Sequence, residues 1–278
     1  SLMMPFKFPL QGEKALVMGI INLSPDSFYG ESRCKTVEQA LIAAERMLEE
    51  GADILDIGAE SSRPGSVPIT VQEELNHLLP VLKKLVEVSN IPISVDTYKS
   101  KVAHEVLQSG ASIINDIKGL QQSKEMSQTI SRFQAGVILM HMQGSPETMQ
   151  DSPQYDDVVT EVFEYLQQSI AIAVAAKINP EKIAIDPGIG FGKTDAHNLL
   201  ILKNLSRLQK LSKPVLLGIS RKSFIGNILN VPIEQRLEGS IAAAVYGLTQ
   251  GVSIIRTHDV RATRRAVKVA EAIMKEKI

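Results

Sequence analysis

Eight short apolar runs, separated by segments of helical periodicity, constrain this sequence more than any other feature. In order they are ALVMGII from Ala15, DILDIG from Asp53, PISVD from Pro92, ASIIND from Ala111, GVILMH from Gly136, IAID from Ile183, PVLLGIS from Pro214 and VSIIRT from Val252. Few polar residues alternate within them, the pattern of strands buried on both faces in a parallel sheet. Between the first two, TVEQALIAAERMLEEGA from Thr36 puts Ala40, Ala43, Ala44, Met47 and Leu48 on one helical stripe and closes on Gly51. Eight strand-plus-helix units in about 250 residues match an α/β chain folded as a (β/α)8 TIM barrel, with each crossover right-handed. The competing arrangement is an open doubly wound sheet, but no Gly-x-Gly-x-x-Gly follows the first run. No boundary divides the chain, so residues 1–278 read as a single domain.

Charge and composition narrow the function. Lys and Arg number 30 against 31 Asp and Glu, for a formal net charge of -1. Nonspecific nucleic-acid affinity comes from a basic surface, so DNA and RNA are not expected partners. Cys34 is the only cysteine, which excludes an internal disulfide and a cysteine-based metal site and fits a reducing compartment. The longest apolar stretch, around SIAIAVAAKI from Ser169, falls short of the roughly 20 residues that span a bilayer, and the amino end has no signal pattern. A cytoplasmic enzyme with no membrane partner is the expectation.

The stretch DPGIGFGKT, 186–194, imitates a phosphate loop without being one. A nucleotide P-loop needs Gly, four spacers and Gly-Lys-Ser/Thr, because backbone N–H groups wrap the phosphates. Pro187 stands where the first glycine should be, and proline has no N–H to give. What the stretch offers is an acid, Asp186, ending an apolar strand. Its Gly-Lys-Thr is read as the start of the next helix, with Phe191 an apolar pocket wall.

In a barrel, chemistry gathers where the strands end at their carboxyl side. The residues there are Asn22, Asp56, Asp96, Asn115 with Asp116, Met140 with His141, Asp186, Ser220 to Ser223, and Arg256 with His258. A packed barrel needs no such polar ring, so a polar ligand site follows. Asp96, Asn115 and Asp186 suit a flat, nitrogen-rich heterocycle, whose N–H edges they can pair. Arg221, Lys222, Arg256 and His258, with Arg63 on the loop after the second strand, suit a phosphate-bearing group. A bland alternative stays open in which Asp56 or Asp96 only pairs with Arg221 or Lys222 across the mouth. His77, His104 and His197 are read as helix-surface residues, and His141 is given no role. The Gly, Pro and Ser-rich loops after the first two strands read as lids or as plain connectors.

Seven motifs then spell a family. MGIINLSPDSF, DIGAESSRPGS, SVDTYKS, IINDIKG, AIDPGIGFGKT, GISRKSFIG and IRTHDV, in that order from about Leu16 onward, resemble the dihydropteroate synthase family of the folate pathway, the target of sulfonamides. The resemblance implies a (β/α)8 barrel that condenses (7,8-dihydropterin-6-yl)methyl diphosphate with 4-aminobenzoate in an SN1-like displacement, releasing pyrophosphate. It assigns Asp96, Asn115 and Asp186 to the pterin, and Lys222 to the pterin carbonyl side and the flank of the aminobenzoate, whose carboxylate lies near Ser223. Arg256 and His258 take the diphosphate, joined by Ser62 and Arg63 and by Mg²⁺ on Asn22. Lys222, Arg256, His258 and Arg63 are thereby the catalytic candidates, and a homodimer is implied.

The chain departs from the family's pattern at Ser24 and Ser62, where Thr is usual, and in its first loop. That loop reads SFYGES where SFSDGG is common, so an aspartate is missing and Glu31 stands nearby. Two rivals remain: a pterin-binding methyltransferase, which would not be expected to carry SRKS and RTHD, and a pterin-binding paralogue without turnover.

Overall fold

A computed structural model of the chain describes residues 5–24 and 34–278. The first-loop departure, with Glu31, lies outside the described residues. Every apolar run forms a strand: β1 (Leu16–Asn22), β2 (Ile54–Gly58), β3 (Ile93–Asp96), β4 (Ile113–Asp116), β5 (Gly136–Met140), β6 (Ile183–Asp186), β7 (Leu216–Gly218) and β8 (Ile254–Thr257). They lie in the order β6-β5-β4-β3-β2-β1-β8-β7, and the named pairings are parallel. A parallel bridge from Ile185 to Val215 joins the two ends of that order. The sheet therefore closes into a barrel, and the open-sheet competitor is set aside.

The helices are α1 (Val37–Glu49), α2 (Val71–Val88), α3 (Ser100–Gln108), α4 (Lys124–Arg132), α5 (Val158–Ala175), α6 (Asp195–Lys203), α7 (Ser223–Leu229), α8 (Leu237–Thr249) and α9 (Val260–Lys275). In α1 the Thr36 hydroxyl accepts the Gln39 N–H, satisfying an orphan donor of the first turn. Ala40, Ala44 and Met47 are buried, with Ala43 and Leu48 half-buried beside them, the stripe that the sequence spacing predicts. Thr194 caps α6 in the same manner, and the His197 ring returns the favour by accepting the Thr194 N–H. The Gly-Lys-Thr does start that helix, and half-buried His197 is a cap as much as a surface residue. The short α7 is an addition to the barrel plan, inserted between β7 and α8. Among the described residues no helix is long and apolar enough to cross a membrane.

Strand side chains alternate between faces, so two cores result. One parity, including Val17, Leu55, Val95, Ile114, Leu139, Ile185 and Leu217, packs outward against the helices. The other points into the barrel, where Met18, Ile54, Ile113, Ile138, Ala184, Leu216 and Ile254 form a separate buried cluster closed by Phe8 and Phe6. Each fully buried Ile or Leu contributes about 1.5–3 kcal/mol. Two residues further along these strands, at the same parity, stand Ile20, Asp56, Asn115, Met140, Asp186, Gly218 and Arg256, joined on β3 by Asp96, below which the inward residue is buried Ser94. The polar ring is the barrel's uppermost inward layer.

Candidate active site

The mouth of the barrel holds two adjoining lobes. The inner lobe is lined by Asn22, Glu60, Ser62, Asp96, Ser220, Lys222, Arg256 and His258, with Ile20, Ile21 and Phe191 as apolar walls. The outer lobe is lined by Ser62, Arg63, Ile189, Phe191, Lys222, Ser223 and Arg236, among others. Ser62, Phe191 and Lys222 belong to both, so they form the partition. Asn115 and Asp186 stand in the same inward layer but are only 4% and 6% exposed, beneath the lobes rather than on their surface. An apolar cluster of Ile117, Met140, Met142 and Met149, flanked by Tyr98 and Phe191, lies beside them.

The acidic and cationic halves touch. Arg256 Nε lies 2.9 Å from Asp56 Oδ2, and its NH2 group lies 3.7 Å from Asp96 Oδ2. The pairing across the mouth that the sequence left open is therefore real, but its cation is Arg256 rather than Arg221 or Lys222. Asn115 donates to the same Asp56 oxygen at 3.5 Å. Asp56 Oδ1 and Asn115 Oδ1 are buried with no hydrogen-bond partner among the described residues. Unpaired buried acceptors are costly and infrequent, and here they mark a place where donors are awaited.

Burial and the neighbouring Asp56 charge push the Asp96 carboxyl up to about 8, against the pull of Arg256. Asp186 is also raised by burial, while Lys222, the Gly188 N–H and Arg256 draw it back. Its Oδ1 accepts the Gly188 N–H at 2.8 Å, which fixes the carboxylate's orientation. Lys222 is lowered to about 8 by burial, with Asp186 opposing and Arg256 adding to the fall. Its Nζ donates to the Ile189 carbonyl and sits 5.0 Å over the Phe191 ring. His258 is driven down to about 3 by burial and by Arg256, Arg221 and Lys222. It is neutral at pH 7, with Nδ1 2.7 Å from the Ser220 hydroxyl, and a neutral imidazole still has one N–H to donate.

Two expectations need correction. Arg221 was grouped with the phosphate cations, yet its guanidinium forks onto Asp259, with both N···O distances 2.9 Å, and donates to the Ile233 carbonyl. It lines neither lobe and braces the chain beneath them. Asp116 was counted in the ring, but it follows inward-facing Asn115 and so points outward. Its oxygens accept the N–H groups of Lys118 and Leu120, capping the turn after β4.

Sequence reasoning missed Glu60 and Arg236. Glu60 accepts from Lys99 Nζ and the Ile69 N–H, both at 2.9 Å, and Lys99 also holds Glu74 and the Ile69 carbonyl. This knot ties both ends of the second loop, which carries Ser62 and Arg63. The TYKS of the third motif was the available signal. Arg236 brings a cation to the outer lobe, holds the Arg221 carbonyl at 2.9 Å and has a buried Nε with no partner among the described residues. No motif surrounds it.

Comparison with known proteins agrees with this geometry. A family profile described as pterin binding enzyme matches residues 18–258. The dihydropteroate synthase of Escherichia coli K12 is 43% identical over 261 residues, 94% of this chain and 92% of the relative. A Yersinia pestis dihydropteroate synthase solved as a sulfonamide drug complex superposes with a TM-score of 0.91 at 42% identity, covering 98% of this chain and all of that one. The Xanthomonas albilineans enzyme, solved with 4-aminobenzoic acid, gives 0.88 at 42% identity and 95% coverage of each chain. The chain belongs to the pterin binding enzyme family and, within it, to the dihydropteroate synthases.

Proposed function

We propose that the barrel mouth grips one reactant at both ends and seats the second reactant against its middle. As a dihydropteroate synthase, the chain condenses (7,8-dihydropterin-6-yl)methyl diphosphate with 4-aminobenzoate to 7,8-dihydropteroate and pyrophosphate. In our reading Asp96, Asn115 and Asp186 accept from the N–H groups of the pterin edge, over the apolar floor beside Met140 and Phe191. Arg256 and His258 take the diphosphate in the inner lobe, with Ser62 at its rim. The aminobenzoate lies in the outer lobe between Phe191 and Lys222, its carboxylate toward Ser223. Arg63, which the resemblance assigned to the diphosphate, lines this lobe and not the inner one, and is read here with Arg236 as a nearby cation. The observation that carries the reading is the contact of Arg256 with both Asp56 and Asp96: one small molecule spans the two halves.

The C–O bond to the diphosphate breaks with its electron pair leaving on oxygen, and the electron-rich pterin stabilises the positive methylene carbon. The neutral amine then forms the C–N bond, and its surplus proton passes to water or to the released pyrophosphate. No strong base is required; fixed cations meet the leaving charge without solvent reorganisation, and position does the rest. The described residues contain no group of three or more His, Cys, Asp or Glu side chains arranged for a metal. Asn22 Oδ1, which accepts the Ser24 N–H, keeps a second lone pair at the rim. A single neutral oxygen fits Mg²⁺, which takes most of its shell from water and substrate phosphates. We assign Asn22 to hold it, where it would supply charge neutralisation to the diphosphate.

Helices α7, α8 and α9 expose Ile228, Leu229, Tyr246 and Ile273, which supports a homodimer through this side; light scattering at twice the 30.4 kDa chain mass would check it. The whole chain is read as one domain acting in the cytoplasm. The test of function is pyrophosphate release from the pterin diphosphate with Mg²⁺, with and without 4-aminobenzoate. Amine-dependent release is expected. Silence points to a binding-only paralogue, and methylation of cobalamin to the methyltransferase.

A further inference from the structure

We infer that Lys193 is a positioning residue: from inside the fold it holds the partition between the two lobes in the shape the second substrate needs. Lys193 is 0% exposed and stands first by size among the fully buried side chains. Its Nζ lies 2.8 Å from His141 Nδ1 and donates to the Phe191 carbonyl at 2.9 Å, with the His141 carbonyl at 3.4 Å. No ion pair engages it among the described residues. A buried lysine that feels the Asp186 charge without pairing with it contributes little to stability, and an apolar side chain of similar length often serves a core as well or better. Folding alone therefore does not explain it.

Its attachment points do. The loop from Pro187 to Lys193 carries two elements of the partition, the Phe191 ring and the Ile189 carbonyl that receives Lys222. The loop lies hard against the end of β5. At Gly188 (φ +72) an added Cβ would come within 1.9 Å of the His141 carbonyl oxygen, and at Gly192 (φ +66) within 2.3 Å of the Gln143 carbonyl oxygen. From the other side Gln150 brackets the Lys193 backbone N–H and carbonyl, and the Tyr155 hydroxyl donates to the Gly192 carbonyl at 2.6 Å. Lys193 is the inner half of this clamp, and His141, flanked by Tyr155 and Tyr165, is its anchor. Burial, with Lys193 beside it, drives the His141 ring down to about 2. The imidazole is therefore neutral and Nδ1 is able to accept. Release of the clamp shifts Phe191 and the Ile189 carbonyl that holds Lys222, while the pterin residues Asp96, Asn115 and Asp186 are carried by β3, β4 and β6; of these only Asp186 touches the loop, through the Gly188 N–H and the Lys193 charge.

The inference rests on the seating of 4-aminobenzoate proposed above. Its test is steady-state kinetics and pterin-diphosphate binding on Lys193→Met, His141→Leu and the double variant, with melting temperatures alongside. Each single variant is expected to raise KM for 4-aminobenzoate about tenfold, because either change severs the link from Phe191 through Lys193 to His141. Affinity for the pterin diphosphate should change less than KM for 4-aminobenzoate, because Asp186 keeps its place at the end of β6. The double variant should match the singles rather than multiply them, because both cut one connection. Unchanged KM in either single variant, multiplication of the effects, or a fall of all parameters in step with the folded fraction would overturn it. If Lys193→Met does not fold, His141→Leu decides. A wild-type chain without amine-dependent turnover fails the seating itself. Variants that respond in pterin binding, and not in amine KM, fail only the role given to Lys193.

Discussion

Two layers of inward side chains, two residues apart on the same strands, have opposite characters. Ile54 sits below Asp56, Ile113 below Asn115, Ala184 below Asp186 and Ile254 below Arg256. Apart from Ser94 below Asp96, the lower layer is apolar, and it is wholly buried and sealed by Phe8. The upper one carries buried carboxylate and amide acceptors without partners among the described residues, and an arginine shared between two acids. Backbone and parity are the same in both, so the difference belongs to side-chain chemistry alone. One layer stabilises the barrel, and the other holds groups that a ligand satisfies better than the fold does.

Substitutions in the two layers should separate activity from stability. The largest effect is expected for Asp186→Ala, which removes an acceptor from the pterin edge. We expect kcat/KM to fall about a thousandfold while stability moves by less than ~1 kcal/mol, since losing the Gly188 bond is offset by removing a buried carboxyl. Loss of stability and activity together would erase the distinction between the layers. Next comes Ile113→Ala, two residues below Asn115. Denaturant unfolding should show about 2–4 kcal/mol of destabilisation, with kcat per folded molecule nearly unchanged. Arg256→Ala should weaken binding of the pterin diphosphate by ~1.5–3 kcal/mol, measured by calorimetry. Unaltered affinity would remove Arg256 from the site.

The remaining effect concerns pH. A carboxyl titrates near 4 in the unfolded chain, whereas Asp96 titrates at about 8 in the fold. Between those values the folded state holds the extra proton, so this residue's contribution to stability is complete at low pH and is lost as pH rises through about 8. Asp96→Asn removes that slope. Melting curves from pH 5 to 8 should show the variant gaining on the wild type as pH rises. A constant gap, or one that closes, would mean that Asp96 is not held protonated by its surroundings.

The sequence disclosed the strands and the ring more fully than the contacts within the ring. Apolar runs of the right length located β1 to β8, and the first residues after them were largely those that line or underlie the two lobes. Alternation along a strand would also have removed Asp116, since Asn115 and Asp116 cannot both point inward. Arg221 lies beyond the end of β7, where no period applies, and only its partner Asp259, 38 residues away, shows that it faces elsewhere. The choice of Arg256 as the shared cation depends on barrel closure, which sets β8 beside β1. Lys193 was hidden by its neighbours. Gly-Lys-Thr announces a helix start, and a lysine at such a place is normally solvated, so its burial follows from the packing of the loop on β5 rather than from any local pattern.

A crystal structure of the chain with (7,8-dihydropterin-6-yl)methyl diphosphate bound tests the central claim most directly. The account expects one molecule with its pterin edge within hydrogen-bond distance of Asp186 and Asn115 and its phosphates on Arg256 and His258. A ligand that meets Asp186 with its phosphates turned away from Arg256, or Arg256 with its ring outside the barrel, would contradict it.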